Sequence, residues 1–475
     1  MIAESRYDKT DRNSILGHAL LLLGKSISEL YPNIGTHSGK GSLGQIVEEK
    51  HFDYHPNSLS QPDFPEAGVE LKCTPMKTLS NGNTVSKERL VLNIINYEKE
   101  GSTSFETSSF WQKNKFLLLM FYLYEQGLKP EEMFFSIIRY WDFPQEDLKI
   151  IIDDWNIIIK KIRDGKADTL SEGDTLFLGA CMKGSAAGAE LRKQFVKNAP
   201  EAQQRAYSLK SIYLNHIIVD SILNSTVINV SLDKKKKFEI IRKCEKIREE
   251  SSNAIKSINE YKEGETFEDA IINKFVPYYN KSISEIQAMI GRNISLSAKD
   301  FAYSVARLIL DVKTKKIAEF EKAGVILKTI QLENNGRLKE SMSFKNINYL
   351  EIIKENVWED SYWYSVISSR FLFVVFQKGE NKNPILKKVF FWGMPVSDYV
   401  ESQRYWNDTR NKIVDGDFSH FLKSTENNIS HVRPKGKNSN DLTEDANGTM
   451  QRKYCYWFNR RYILSILENN GIFTE

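Results

Sequence analysis

Asp63, Glu70 and Lys72 stand in the spacing D-x6-E-x-K, within the stretch PDFPEAGVELKCTP from Pro62 to Pro75. Glu70 and Lys72 are two apart in a run that reads as a strand, so their side chains leave by one face. Asp63 enters from the preceding turn, behind Pro62, near the strand's start. Two carboxylates converging with a lysine suit hydrolysis of a phosphodiester. The carboxylates would hold Mg²⁺, a hard cation that prefers oxygen. The metal would make a nucleophile of water and offset charge on the phosphorus oxygens. The lysine would orient or deprotonate that water and add positive charge near the transition state. A surface ion pair on a strand face satisfies the same three residues. The preceding KGSLGQIVEE favours the chemical reading, because a helix there offers Glu48 or Glu49 as a third carboxylate. Glu48, four positions after Gly44, shares the side on which the helix packs closely.

These residues need a scaffold. Hydrophobic periodicity predicts an amphipathic helix from Ile15 to Leu30, then a glycine-containing turn and a second helix around Ser42 to Lys50. After the loop DYHPNSLSQPDF comes the strand from Gly68 to about Thr74, a hairpin turn at Asn81–Gly82, and the strand-like RLVLNIINY. The apolar FLLLMFYLY (Phe116 to Tyr124) reads as a buried strand or core helix, and helices are expected from Pro130 to Lys166. The fold class is α/β or α+β, a mixed sheet flanked by helices.

The chain also repeats itself. GKSISEL recurs as NKSISEI, and AGVELK recurs as AGVILK; Lys25 to Lys281 and Lys72 to Lys328 are the same offset of 256 residues. Asn81–Gly82 is echoed by Asn335–Gly336, and FETSSFWQKNKFLLLMFYL by WEDSYWYSVISSRFLFVVF. CMKGSAAG is echoed by RPKGKNSN, and QRAYSLKSIYL by QRKYCYWFNRRYI. The reading is a divergent tandem: a domain over 1–225, a charged helical linker over 226–264, and a second domain over 265–475. DKKKKFEIIRKCEKIREE in the linker reads either as a solvated helix or as a phosphate contact.

Composition bounds the partners. The 475 residues are 41% hydrophobic and 27% charged, enough for two or three soluble domains, and the net charge of +4 is too small to argue for nucleic acid by itself. Any DNA contact must come from local patches. The four cysteines are scattered without a CxxC pair, which fits a reducing cytoplasm better than a disulfide framework or a structural zinc. The N-terminus makes a poor signal peptide, and the most apolar run is about half a bilayer span; a cytoplasmic protein is expected.

KGSLGQIVE (Lys40 to Glu48), PDFPEAGVELK and FETSSFWQK occur in this order, and together they resemble the mismatch-repair nicking endonuclease MutH and the Sau-type GATC-cutting type II restriction endonucleases. These families share a PD-(D/E)xK nuclease fold, so the resemblance implies a tandem pair of MutH-like folds. It implies that Asp63 and Glu70 bind the catalytic Mg²⁺, with Glu48 supporting the metal site from its helix. It implies that Lys72 serves the attacking water and that Lys113 belongs to the active site. The implied substrate is double-stranded GATC, cut on the 5′ side of G. Among the implied DNA contacts, Lys40 opens the first motif. HVRPKGKNSND (His431 to Asp441) resembles the base-reading loop, with Arg433 set for guanine and Lys435 for a base edge or phosphate. The first copy keeps Lys183 and Gly184 there, but Cys181 and Met182 replace the arginine and proline. Tyr207 and Lys210 match a DNA-touching segment, with Tyr454 as the second-copy counterpart; Tyr207 reads equally as a packing residue.

In the second copy Ile326 replaces Glu70, Glu319 aligns with Asp63, Ser304 or Arg307 with Glu48, and Ser368 falls on or near Lys113. Only Lys72 survives, as Lys328. A metal site does not tolerate isoleucine for a ligating carboxylate, so the second copy is expected to be catalytically dead and to act in DNA recognition and allosteric activation. One active site per chain and a palindromic target imply that two chains associate for a double-strand cut. The alternatives are a nicking repair endonuclease, although such enzymes resemble only one half of this chain, and a GATC-binding protein that does not cleave. His51 and His55, four apart, read as a zinc pair or as loop histidines, and YCYWFNRRY as a base-stacking surface or as edge packing.

Overall fold

In the computed structural model, the residues described are 7–32, 42–54, 61–79, 82–183, 191–224, 234–294, 301–379 and 383–473. They form two compact units. The first comprises Met1–Leu170, Thr175–Glu260 and Thr314–Gly324; the second comprises Ser171–Asp174, Tyr261–Lys313 and Val325–Glu475.

The first unit opens on helix α1 (Arg12–Ala19), with Asp11 as its N-cap. The helix expected to run on to Leu30 stops there, because Gly24 at φ 75° turns the chain before a separate turn of helix at Ile27–Leu30. Helix α2 (Ser42–Ile46) widens into a π-helical turn over Val47–His51. Strands β1 (Glu70–Thr78), β2 (Thr84–Ser86) and β3 (Leu90–Ile94) follow. Helix α3 (Ser109–Asn114) then leads into β4 (Phe116–Leu123), whose middle is wholly buried as its apolar sequence requires. Where helices were expected to dominate, Phe135–Asp142 is a strand, β5, and α4 (Gln145–Arg163) is the long helix. The alternation of FSIIRYWD and its place at the sheet edge outweigh the helical reading.

One sheet has the order β2-β1-β4-β5, with β1 and β4 parallel and Glu70 opposite Leu117. A second sheet places β3 beside β7 (Arg205–Leu209), and β7 beside β6 (Leu178–Met182). Helix α4 buries Ile150, Ile151, Trp155, Ile158 and Ile159. Its buried Asp154 accepts N–H bonds from Leu176, Phe177 and Leu178 at 2.7, 2.6 and 2.8 Å, fixing the entry to β6. Helices α5 (Ser211–Asn224) and α6 (Lys234–Glu249) and strand β8 (Ser251–Ser252) complete this stretch; α6 is the charged run of the sequence.

A segment from far downstream belongs to the same unit. Strand β9 (Lys316–Ile317) pairs with β8, and helix α7 (Ala318–Ala323) carries Lys322, whose Nζ lies 2.8 Å from the buried Asp147.

The second unit rebuilds the design. Strands β10 (Ile326–Leu332), β12 (Phe371–Gln377) and β13 (Ile385–Trp392) stand in the order β10-β12-β13, parallel then antiparallel, as β1-β4-β5 do. Strands β11 (Met342–Asn346), β15 (Tyr454–Phe458) and β14 (Ser430–Pro434) repeat the arrangement of β3, β7 and β6. Helix α8 (Tyr362–Ile367) precedes β12 and is capped by Ser361 as α3 is by Ser108. Gly68 and Gly324 both take φ 65°, a left-handed turn just before β1 and β10. Each unit has its own apolar core, around Leu118 and Met120 in the first and around Trp363, Phe371 and Phe458 in the second. Among the described residues no helix is long and apolar enough to cross a membrane.

The Lys322–Asp147 pair generates a test. Lys322→Met leaves a buried carboxylate with only the Tyr213 hydroxyl, 3.0 Å away, as its recorded side-chain donor. Loss of one partner of such a pair costs about 3 kcal/mol. Urea denaturation of the full chain is expected to show that loss; an unchanged midpoint would mean that the pair does not hold the downstream segment in place.

Candidate active site

Five of the residues singled out in the sequence meet at the start of β1. Asp63 sits in the turn before the strand. Its carboxylate accepts the Leu71 N–H at 2.9 Å, and its own N–H donates to Glu70 Oε2 at 3.1 Å. These reciprocal bonds lock the acidic turn onto the strand. Glu70 is 1% exposed, and Lys72 Nζ reaches its Oε1 at 2.5 Å from the same strand face. Lys113, from the last turn of α3, brings its Nζ to 3.6 Å from the same oxygen. Glu48 projects from the π-helical turn. Its helix packs close to β1, where a Cβ on Gly44 would lie 3.9 Å from that of Cys73.

The electrostatics follow from crowding. Burial first, then the Asp63 carboxylate, push Glu48 up to about 7. Burial likewise pushes Glu70 up to about 7, with Lys72 opposing and Asp63 reinforcing the rise. For Lys72, burial pulls downward, but Glu70 and Asp63 outweigh it and hold the ammonium above its usual value. Cys73 is pushed upward by the same burial and by Glu48.

The donor set suits a hard cation: every candidate ligand is a carboxylate oxygen, and burial makes two of the acids hold their protons unusually long. Among the described residues no group of three acidic, histidine or cysteine side chains is already arranged around a common point, since Lys72 and Lys113 face Glu70 Oε1. The cluster therefore fits Mg²⁺ held by one or two carboxylates, with water and substrate phosphate completing the shell. Asp63 and Glu70 are the pair that would hold it.

The expected DNA contacts divide differently. Lys40 and His55 lie outside the described residues, as does Gly184. Lys183 is half-buried at the end of β6. Tyr207 is not a DNA contact: it is fully buried, its hydroxyl 3.2 Å from Glu100 and its ring 5.5 Å from that of Phe110. Lys210 turns inward, its Nζ donating to the Thr175 carbonyl. Sheet register also reassigns the counterpart of Tyr207. Ala180 faces Tyr207 in the first unit and Val432 faces Tyr456 in the second, so Tyr456, buried and stacked on Trp363 at 4.4 Å, takes that place. Tyr454 lies two residues earlier, with its hydroxyl 3.2 Å from the Phe418 carbonyl. Arg433 is exposed on β14 with its guanidinium 3.7 Å from the Trp457 ring, and Lys435, just beyond, is exposed as well. His51 belongs to the packing of the first unit, its ring 4.2 Å from that of His18; burial drives it down to about 3, so it is neutral at pH 7.

In the second unit Ile326 faces Phe371 as Glu70 faces Leu117, and Lys328 faces Phe373 as Lys72 faces Leu119. Glu319 does not stand in for Asp63: its buried carboxylate accepts the N–H groups of Ala254 and Ile255 at 2.9 and 3.1 Å. Counting from the helix caps, Val366 rather than Ser368 holds the place of Lys113.

Sequence reasoning missed a pair of glutamates. Glu100 accepts the Ser109 N–H at 3.0 Å at the start of α3, and Glu355 accepts the Tyr362 N–H at 2.8 Å at the start of α8. Each anchors the helix that precedes the central strand, and in the first unit that helix carries Lys113. The only trace in sequence is an acid some residues before each capping serine, a pattern too common to read.

The raised acids set a pH dependence. An acid with a higher pKa folded than unfolded binds its proton more tightly in the fold, so its contribution to stability falls as pH rises from its unfolded value toward about 7. In metal-free protein, Glu48→Gln is expected to gain stability relative to wild type between about pH 5 and pH 8. Equal pH dependence of the two denaturation midpoints would show that Glu48 is not under that strain.

Comparison with known proteins supplies relatives. The family model of the DNA mismatch repair enzyme MutH matches residues 52–154 and again 308–399, once in each repeat. The type II restriction enzyme Sau3AI of Staphylococcus aureus is 34% identical over 483 aligned positions, covering 94% of this chain and 92% of that protein.

Proposed function

Given that the chain belongs to the family joining MutH with the Sau-type restriction enzymes and is thus of the restriction or nicking endonuclease class, we propose that it is a Mg²⁺-dependent type II restriction endonuclease that cuts double-stranded GATC on the 5′ side of G. The observation that carries the reading is the convergence of Asp63, Glu70, Lys72, Glu48 and Lys113 at the start of β1.

Asp63 and Glu70 would hold the metal, with Glu48 supporting it from its helix. A bound Mg²⁺ would lower the pKa of water and offset charge on the scissile phosphate. Lys72, held as an ammonium beside Glu70, would orient the attacking water and add positive charge where the scissile phosphate sits. Lys113 adds a positive charge on the same side, where negative charge grows on the phosphoryl oxygens. Asp63 keeps its orientation through the Leu71 N–H.

The second repeat has no such set: Ile326 stands where Glu70 would be, and Glu319 is spent on main-chain N–H groups. It is catalytically silent and serves DNA recognition and activation, with Arg433 and Lys435 toward bases and phosphates. Two chains meet on one site for a double-strand cut.

A plasmid with a few GATC sites tests the chemistry. Wild type with Mg²⁺ is expected to cut at GATC, and Glu70→Ala to lose at least about a hundredfold in rate, the scale of removing a group that acts on the reacting centre. Cleavage that survives Glu70→Ala, or that needs no divalent metal, overturns the mechanism. Nicked circles as the final product would favour the mismatch-repair type of activity. A rate that rises faster than first power in enzyme is expected from paired chains; first-power dependence with equal rates on one-site and two-site DNA would remove the pairing.

A further inference from the structure

In the second unit Ile326 stands where Glu70 would be, and cations gather around the retained lysine. Lys328, on β10, keeps the position of Lys72, but its Nζ donates to the Ser343 carbonyl at 2.6 Å and lies 4.5 Å from the Phe344 ring centre. Lys435, beyond β14, donates to the Phe344 carbonyl at 2.5 Å. Lys345, on β11, stands where register places Asn93 in the first unit, since Met342 faces Phe458 as Leu90 faces Leu209. In the first unit Asn93 is bound to Ser109 at 2.9 Å and to Asn114 at 2.9 Å; in the second, the same strand position carries a charge. Sheet register sets Arg433 opposite the buried Cys455, whose thiolate Lys435, Arg433 and Lys328 all favour. The recorded hydrogen bonds of the Lys328 and Lys435 ammonium groups go to main-chain carbonyls of β11, not to carboxylates.

Like charges gathered on a partly buried surface repel one another and lose hydration, so such a cluster costs stability unless an anion joins it. The effect is visible at Lys328. Burial, then Lys435, then Lys345 pull it down to about 8, with the Cys455 thiol opposing. Lys435 follows just past the end of β14, two residues after Arg433, whose exposed guanidinium lies 3.7 Å from the Trp457 ring centre. A single anion at the lysines beside an exposed arginine matches the geometry of a nucleic-acid backbone with its bases alongside.

We propose that the second unit binds one phosphodiester group of duplex DNA between Lys328, Lys345 and Lys435, so that a metal-free phosphate clamp occupies the position that the first unit uses for its carboxylates. This rests on the reading of the second unit as a DNA-binding module and names the contact by which it holds the backbone. The exchange is chemically economical: the retained lysine keeps its strand position, and replacing Glu70 by Ile326 removes the carboxylate that would otherwise neutralise it.

The test uses the full chain with Glu70→Ala, in chelator, titrated into a GATC duplex and a duplex lacking GATC. Adding Lys328→Met is expected to weaken both duplexes by about tenfold and to lower the slope of log affinity against log salt by about 0.9. Thermal melting should show this variant as stable as its parent or more so. The parent should also lose affinity between pH 7 and pH 9, as Lys328 gives up its proton, and the variant should not. Lys345→Met, at an exposed position that the fold does not need, should lower the salt slope in the same way. Unchanged affinity and slope in both lysine variants, with Arg433→Ala still weakening binding, overturns the clamp alone. If Arg433→Ala is also without effect, the second unit does not hold DNA and the underlying reading falls as well. If inorganic phosphate stabilises the parent but not Lys328→Met while DNA binding is the same in both, the site takes a free anion and the proposal is wrong.

Discussion

A carboxylate that is 1% exposed sets the terms for the first unit. Glu70 begins a strand that is buried on both sides, and its charge can be kept there only with partners. Lys72 supplies one ammonium from the same strand face, Lys113 approaches from α3, and Asp63 and Glu70 share the N–H groups of the turn. Each partner depends on a different element. The strand must run parallel to β4, α3 must end just before β4 begins, and the acidic turn must close through Gly68. Burial crowds the acids: Glu48 and Glu70 both hold protons up to about 7.

The two repeats show which parts of that arrangement belong to the fold and which to the site. Strand order, the paired register of the central strands, the capping serines and the glutamates that anchor the helix starts occur in both. Buried Tyr207 and Tyr456 also correspond, each packed on an aromatic ring of the preceding helix. These features satisfy main-chain groups and fill core volume, and their loss would leave unpaired buried donors or cavities. The acids at the start of β1 are not kept in this way. Ile326 replaces a charge without disturbing the strand, Glu319 is turned to other N–H groups, and lysines gather at Lys328 instead. One scaffold thus carries opposite charge patterns at the same point of its sheet.

Helix α7 adds a second use for displaced residues. Its sequence lies in the second repeat, yet it packs within the first compact unit, pinned by Lys322 on Asp147 and by Glu319 on the Ala254 and Ile255 N–H groups. The stretch that aligns with the acidic turn of the first repeat serves as a structural fastening.

The sequence by itself determined the tandem, the strand that carries Glu70 and Lys72, the burial of the apolar run from Phe116 and the loss of the acid at Ile326. These are local: a period of two, an apolar run and a repeated word at one offset express them without reference to the rest of the chain. Only the tertiary structure decided the remainder. It broke the first helix at Gly24, made Phe135–Asp142 an edge strand, buried Tyr207, turned Lys210 inward and moved the counterpart of Tyr207 to Tyr456. It also revealed Glu100 and Glu355 as helix anchors and gathered Lys345 with Lys328 and Lys435. Such outcomes depend on which side of a strand meets a neighbour from a distant part of the chain. A shift of one residue in pairing exchanges buried and exposed faces, and that choice is made by packing between elements rather than by any residue's own preference.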